Sequence, residues 1–279
     1  MKLPRFFFFL LTGLASLAGV ASGASYSTNF TGYILNGDLV GQQGWISNDP
    51  TPDIAVIAGL GTVWGSRSAT LGYVSPVIEN TVYVSHPTSV PLVGNGYTTF
   101  SAMFQVVDSD SGNNPIGETG AENRDVFGFR LQDGLGNDVF TFRLTPNDQD
   151  ALPEEDTNYN LYSWTSSSVV GEQPVLRTPF IKSAQESFAY TVTISFATSG
   201  ADVNFTGTVN GVDPFYGTLP GMAGVSVQQV GAIWDPTFGP SNPGSNFMIF
   251  DNISMVPETS SALLGLLGAS LALVRRRRI

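Results

Sequence analysis

Cysteine is absent from this 279-residue chain, and histidine occurs once, at His86. The first absence removes thiolate chemistry, disulfide staples and every cysteine-based metal site; the second removes multi-histidine metal centres. Disulfides are permitted but not required outside the cytoplasm, and a core rich in Leu, Ile, Val, Phe and Tyr can manage without them. Basic residues are scarce too, with 12 Lys and Arg against 23 Asp and Glu and a formal net charge of −11. Half of the basic residues sit at the ends, as Lys2, Arg5 and Arg275 to Arg278. The middle is therefore too poor in cations to neutralise phosphates, which excludes nucleic acid as a partner. Its acidity favours solubility and loose attraction of divalent cations. Also missing from the middle is any sustained 3.6-residue apolar period, so helices are not expected there.

What is present is the punctuation of a β protein. Gly 31 and Pro 17 fall between short apolar runs, as strands joined by turns require. Tyr190, Val192, Ile194 and Phe196 alternate with Thr191, Thr193 and Ser195, the signature of a half-buried strand. Phe127, Phe129 and Leu131 alternate likewise, as do Phe140, Phe142 and Leu144, and Asp133 to Asn137 between them reads as a hairpin connection. Asn210-Gly211 is a second hairpin signal after Val203, Phe205 and Val209. Phe100 to Val107 and Phe247 to Met255 complete the obvious strands. Pro257 cannot donate to a ladder, so the sheet is expected to stop there. An all-β antiparallel sandwich is expected over residues 25–255; the spacing fits one large unit or two smaller ones.

Both ends read as addresses. Residues 1–24 have the form of a secretory signal peptide: Lys2 and Arg5, an apolar stretch from Phe6 to Val20, then small residues at Ala21, Ser22, Gly23 and Ala24 for signal peptidase after passage through the translocon. Residues 256–279 begin Val256-Pro257-Glu258-Thr259, continue as an apolar run to Val274 and end on Arg275, Arg276, Arg277, Arg278 and Ile279. An apolar helix over residues 261–274 spans about 21 Å, short of the roughly 30 Å hydrocarbon core, but arginine snorkelling and residues from Glu258 onward can extend it. The positive-inside rule leaves the arginines in the cytoplasm and everything before Val256 outside. Both signals give one topology.

The C-terminal arrangement resembles the PEP-CTERM sorting domain, the substrate tag of exosortases. The matching parts are Pro257 and Glu258, the transmembrane run Ala262 to Val274, and Arg275 to Arg278, with Thr259 in place of the usual second proline. The resemblance implies export, transient anchoring in the inner membrane and handling by an exosortase, with release to the cell surface or extracellular matrix of a bacterium. In that process the chain is a substrate and supplies no catalytic residue.

The middle resembles the concanavalin A-like lectin and glucanase fold. Asn29-Phe30-Thr31-Gly32-Tyr33, followed by Gly37 to Trp45, looks like that group's opening strand and turn, and Phe250-Asp251-Asn252-Ile253-Ser254 looks like its closing strand. The resemblance implies a single jelly roll with adjacent termini.

Catalysis finds no support in the residues. Retaining hydrolysis needs two carboxyls about 5 Å apart, and the Glu-x-Asp-x-x-Glu strand pattern of glucanases on this fold is missing. Glu154, Glu155 and Asp156 follow Pro153 in a loop-like stretch, as do Glu118 and Glu122 in theirs. His86 precedes Pro87 in a turn-like segment, and no Gly-x-Ser-x-Gly elbow occurs. Asp108, Asp110 and Asn113 lie in an Asp-x-Asp-x-Gly-Asn-Asn stretch whose oxygens suit calcium, though such residues also simply build turns; no other cofactor is indicated. For sugar contacts, Trp164, Trp234 and the neighbouring Asp235 are the best candidates, offering ring faces and a hydroxyl acceptor; the preferred alternative has Trp234 ending a core strand and Trp164 packing a loop against the sandwich, while Trp45 and Trp64 read as core. The leading expectation is an exosortase-sorted surface or matrix protein without activity of its own. A glycan-binding module for extracellular polysaccharide is the alternative, and a glycoside hydrolase the weaker one.

Overall fold

Alternation does what the sequence implies. In the strand Tyr190–Ser199, Tyr190, Val192, Ile194 and Phe196 are buried and the threonines between them are half-buried, because successive residues of a strand face opposite sides. The computed structural model describes residues 24–49, 54–58, 66–72, 81–94, 96–108, 125–146, 159–179, 189–236 and 246–258. Among the described residues there is no helix, and no helix long and apolar enough to cross a membrane. The expected signal peptide up to Gly23 and the expected sorting segment from Thr259 lie outside the described residues, as do Glu118, Glu122, Glu154, Glu155, Asp156 and Trp64.

Numbered along the chain, the strands form two antiparallel sheets. One runs β13 (Val212–Leu219), β12 (Asp202–Val209), β11 (Tyr190–Ser199), β6 (Tyr97–Asp108), β15 (Asn246–Glu258), β4 (Arg67–Leu71), β3 (Val56–Ala58), with β1 (Tyr26–Thr28) also on β15, making eight strands. The other has seven: β10 (Gln173–Pro179), β9 (Tyr159–Thr165), β8 (Asp138–Pro146), β7 (Val126–Gln132), β14 (Ser226–Asp235), β5 (Val82–Pro91) and β2 (Ile46–Ser47). Between them lies one apolar core. Phe104 of the first sheet meets Phe129 of the second at 5.9 Å between ring centroids, and Phe140 meets Phe205 at 5.0 Å. The middle is thus an antiparallel β-sandwich with its first and last strands side by side, Tyr26 opposite Met255.

Two hairpins form where the turn chemistry demands. Asn210 and Gly211 both have positive φ, 53° and 72°, as a two-residue turn matched to strand twist requires. Asp133 closes the β7–β8 turn by accepting from the backbone N–H of Leu135 and Asn137, each at 2.8 Å. The Asn137 side chain holds that carboxyl below its usual range, assisted by backbone N–H groups.

Three expectations are corrected. The opening strand is Tyr26–Thr28, not Asn29–Tyr33, which turns instead; Phe30 takes a φ of 54° and drops its ring into the core beside Tyr33, Trp45 and Phe250. His86 lies within β5, not in a turn, with Nε2 2.8 Å from the Gln43 carbonyl oxygen and its ring against Tyr26 and Trp45. The closing strand does not stop at Pro257: the ladder continues through Pro257 opposite Thr98 to Glu258 opposite Tyr97. Proline is tolerated there because the pairing with β1 ends at Met255, so its missing N–H falls on an edge that needs no donor.

Candidate functional site: the outer face of the seven-stranded sheet

Strand parity builds this site. In β7 and β8 the aromatic residues Phe127, Phe129, Phe140 and Phe142 go to the core, which turns Gly128, Arg130, Thr141 and Arg143 to the opposite face. In β14 and β5, Trp234 and Val84 point inward, leaving Asp235, Ile233, Gly231, Tyr83 and Ser85 on that face. Registers align these positions into rows. One runs Ser163, Arg143, Gly128, Ile233, Tyr83; the next runs Thr165, Thr141, Arg130, Gly231, Ser85.

Arg143 is the hub. Its Nη2 donates to Asp235 Oδ2 at 2.6 Å, and its Nε lies 3.6 Å from Glu172 Oε1. Asp235 also accepts from Thr81 Oγ1, and Glu172 from Ser163 Oγ. Arg130 donates from Nε to Asp138 Oδ1, while its guanidinium carbon stands 4.9 Å from the centre of the Tyr83 ring, a cation–π distance. To reach Tyr83 on β5, Arg130 crosses β14, and the residue opposite it there is Gly231. A Cβ at Gly231 would come within 2.0 Å of the Val84 carbonyl oxygen, so no larger residue fits that strand contact. Ser85 Oγ donates to Gln229 Oε1 at 3.0 Å. Thr141, 3% exposed, opposite Arg130 and two residues from Arg143, has an Oγ1 with no hydrogen-bond partner among the described residues.

The face is therefore a layer of fixed donors and acceptors spread over five neighbouring strands. Two guanidiniums, three carboxylates and several hydroxyls hold one another in place, which preorganises them for a polar ligand.

Of the residues expected to touch sugar, only Asp235 belongs to this face. Trp164 is 6% exposed, stacked on Phe140 and edge-on to Phe205; Trp234 is 3% exposed, stacked on Phe127, with Nε1 donating to Asp125 Oδ2 at 2.7 Å. Both rings are core, as is Trp45, because Phe140, Phe205 and Phe127 supply the apolar surface that an indole needs. Arg130, Arg143, Thr141, Ser163, Glu172 and Tyr83 were missed. The signal for the first three lay in the hairpin itself: once the Phe positions are assigned inward, the residues between them must share one outer face.

The expected calcium ligands are not brought together among the described residues. Asp108 ends β6, and Asp110 and Asn113 lie outside the described residues; among the described residues no group of three acidic or histidine side chains could hold a metal ion. Of the sorting motif, Val256, Pro257 and Glu258 close β15, whereas Thr259 and Arg275 to Arg278 lie outside the described residues.

No family model and no curated protein matches this chain. Solved structures similar to it include the carbohydrate recognition domain of Emp47p, at 10% identity over 85% of this chain and 98% of that one, with a TM-score of 0.46. Peanut lectin aligns at 13% identity over 85% of this chain and 99% of its own, with a TM-score of 0.44. The CBM2 module of the evolved Dit protein of Lactobacillus casei BL23 phage J-1 aligns at 13% identity over 84% and 96%, with a TM-score of 0.45. The sandwich itself is read from strand register and burial.

Proposed function

We infer that this chain is an exported, non-catalytic carbohydrate-binding protein of a bacterial envelope, with the outer face of the seven-stranded sheet as its contact surface. The observation that carries this reading is the hydrogen-bonded layer centred on Arg143, in which donors and acceptors alternate across the sheet. Sugar hydroxyls both donate and accept, so a rigid alternating surface matches them and loses little freedom on binding. The same layer argues against hydrolysis. Asp235 and Glu172 both lie against the Arg143 guanidinium, so the two carboxyls are engaged with one cation and do not flank an open space for a glycosidic bond as a hydrolase pair does.

Delivery rests on the two ends of the sequence. Lys2, Arg5 and the apolar stretch after them supply the export signal, and Pro257, Glu258, the apolar run and Arg275 to Arg278 supply the tag an exosortase would read. Deleting residues 1–24 should leave the chain in the cytoplasm. Replacing Arg275 to Arg278 with serine should allow export but prevent normal release; release at the wild-type rate would remove the arginines from sorting. For the binding surface, the exported full chain on a glycan array should show specific binding that Arg143→Ala and Asp235→Asn each abolish and Trp164→Phe leaves unchanged. Binding that survives both site substitutions would move the contact surface elsewhere.

A further inference from the structure

We propose that the ligand of this face is a neutral, hydroxyl-rich pyranose polymer and that carboxylated or sulfated chains are rejected; this rests on the carbohydrate-binding reading above. Charge bookkeeping on the face decides it. A site for polyanions keeps arginines free to receive acid groups, as bidentate guanidinium pairing favours. Here neither arginine is free. Arg143 is held by Asp235 and lies beside Glu172, and Arg130 is held by Asp138. Two cations against three carboxylates leave the face with excess negative charge, and Glu172, at 51% side-chain exposure, stands at its open side. An acidic sugar would have to displace one of these carboxylates and then face the others. The chain as a whole carries −11, which repels a polyanion at longer range.

What the face leaves unsatisfied is hydroxyl-type capacity. Thr141, opposite Arg130 and two residues from Arg143 on the same face, has a buried Oγ1 with no partner among the described residues, and Arg143 Nε has no hydrogen bond there, only the 3.6 Å approach of Glu172. A buried polar atom without a partner is costly, and ligand hydroxyls reaching these atoms satisfy them without bringing charge. Tyr83 presents a ring, but Arg130 lies over it. Recognition therefore runs through hydrogen bonds to hydroxyls more than through stacking, so binding should discriminate hydroxyl configuration and be insensitive to salt.

The test is affinity electrophoresis of the detergent-solubilised, exported full chain through gels containing neutral polymers (a β-glucan, a galactomannan, a xylan) or anionic ones (alginate, polygalacturonate, a sulfated galactan), at low and at 0.5 M salt, a concentration at which charge attraction between exposed groups is strongly screened (about 4 Å Debye length). The expected result is retardation by at least one neutral polymer at both salt concentrations, weakened about tenfold by Thr141→Val, as for one lost hydrogen bond, and restored by Thr141→Ser. Equal melting temperatures of the three proteins would show that folding is not the cause. Retardation by anionic polymers alone, lost at high salt, would overturn the ligand class and leave the carbohydrate reading standing. Retardation by neither class would overturn the carbohydrate reading itself. Neutral-polymer binding indifferent to Thr141→Val would remove this face from the interaction.

Discussion

The outer faces of the two sheets treat a carboxylate in opposite ways. On the seven-stranded sheet Asp235 is partly exposed and has a cation at 2.6 Å and a hydroxyl donor beside it. On the eight-stranded sheet Asp251, turned away from the core residue Phe250, is 1% exposed and accepts from the backbone N–H of Asn252 at 2.7 Å. Among the described residues no cation reaches it. Burial pushes its carboxyl up to about 7, with the Asn252 N–H opposing the shift. Its surroundings are equally unsatisfied: Ser68 Oγ and Gln105 Oε1 are buried without partners on the same face. One face offers paired charges at the surface, as recognition requires. The other encloses polar groups that weaken the fold. Polar residues on a sheet become a candidate site where partners fix them and solvent reaches them, not merely where they cluster.

The largest test removes the strand that carries Asp251. β15 lies between β6 on one flank and β4 and β1 on the other, so a chain ending at Ser245 loses the middle of the eight-stranded sheet and should show no cooperative melting. Phe250 alone, fully buried, is a side chain whose loss costs about 3–5 kcal/mol, a large share of a domain's stability. Because the ladder runs to Glu258, a chain ending there should melt like one carrying the full C-terminus. Equal melting of the shortened and complete chains would dismantle the eight-stranded sheet as described.

Next comes the core that separates the faces. Trp234→Phe keeps an aromatic ring against Phe127 but takes the indole donor from Asp125, and should cost about 1–3 kcal/mol in urea unfolding. Carbohydrate binding should be untouched. If binding fell while stability held, Trp234 would belong to the contact surface after all.

Asp251 gives a pH-dependent test whose sign follows from its raised folded value. Between the ordinary aspartate range and about 7, the folded state keeps a proton that the unfolded state has lost. Its contribution is therefore fully present at acid pH and disappears as pH rises through about 7. Asp251→Asn should raise Tm at pH 8, by about 2–4 °C for each kcal/mol gained in a domain of this size, and change it little at pH 4. A Tm gain equal at both values would show that the carboxyl's ionisation is not the destabilising element.

The smallest effect belongs to the other face. Arg143→Ala leaves Asp235 and Glu172 without their shared cation, but the group is a quarter exposed and solvent screens it. The expected loss is about 1 kcal/mol, shrinking in 0.5 M salt. A larger, salt-independent loss would make Arg143 a structural keystone and not a binding residue.

Much of this was legible in the residues and some was not. Phe127, Phe129, Phe140 and Phe142 announced two strands, and Asp133 to Asn137 announced their turn, because side-chain period and turn chemistry are local. Asp235 was picked out and does lie on the candidate face, but for its neighbour Trp234, which faces the opposite way. Trp164 and Trp234 are buried, as the preferred reading had it, but the sequence could not settle the point, because an aromatic beside polar residues looks the same whether its ring meets sugar or another phenylalanine. Pro257 misled because a proline ends a ladder only if its missing N–H was needed, and whether a neighbour lies on that side is a matter of strand order. The sequence by itself determined the β character, the hairpins and the inward set of each strand. Tertiary structure alone decided which strands are neighbours, hence that Arg143 meets Asp235 and Glu172 while, among the described residues, Asp251 meets no cation. Those residues are far apart along the chain, and only the arrangement of the strands brings their side chains together.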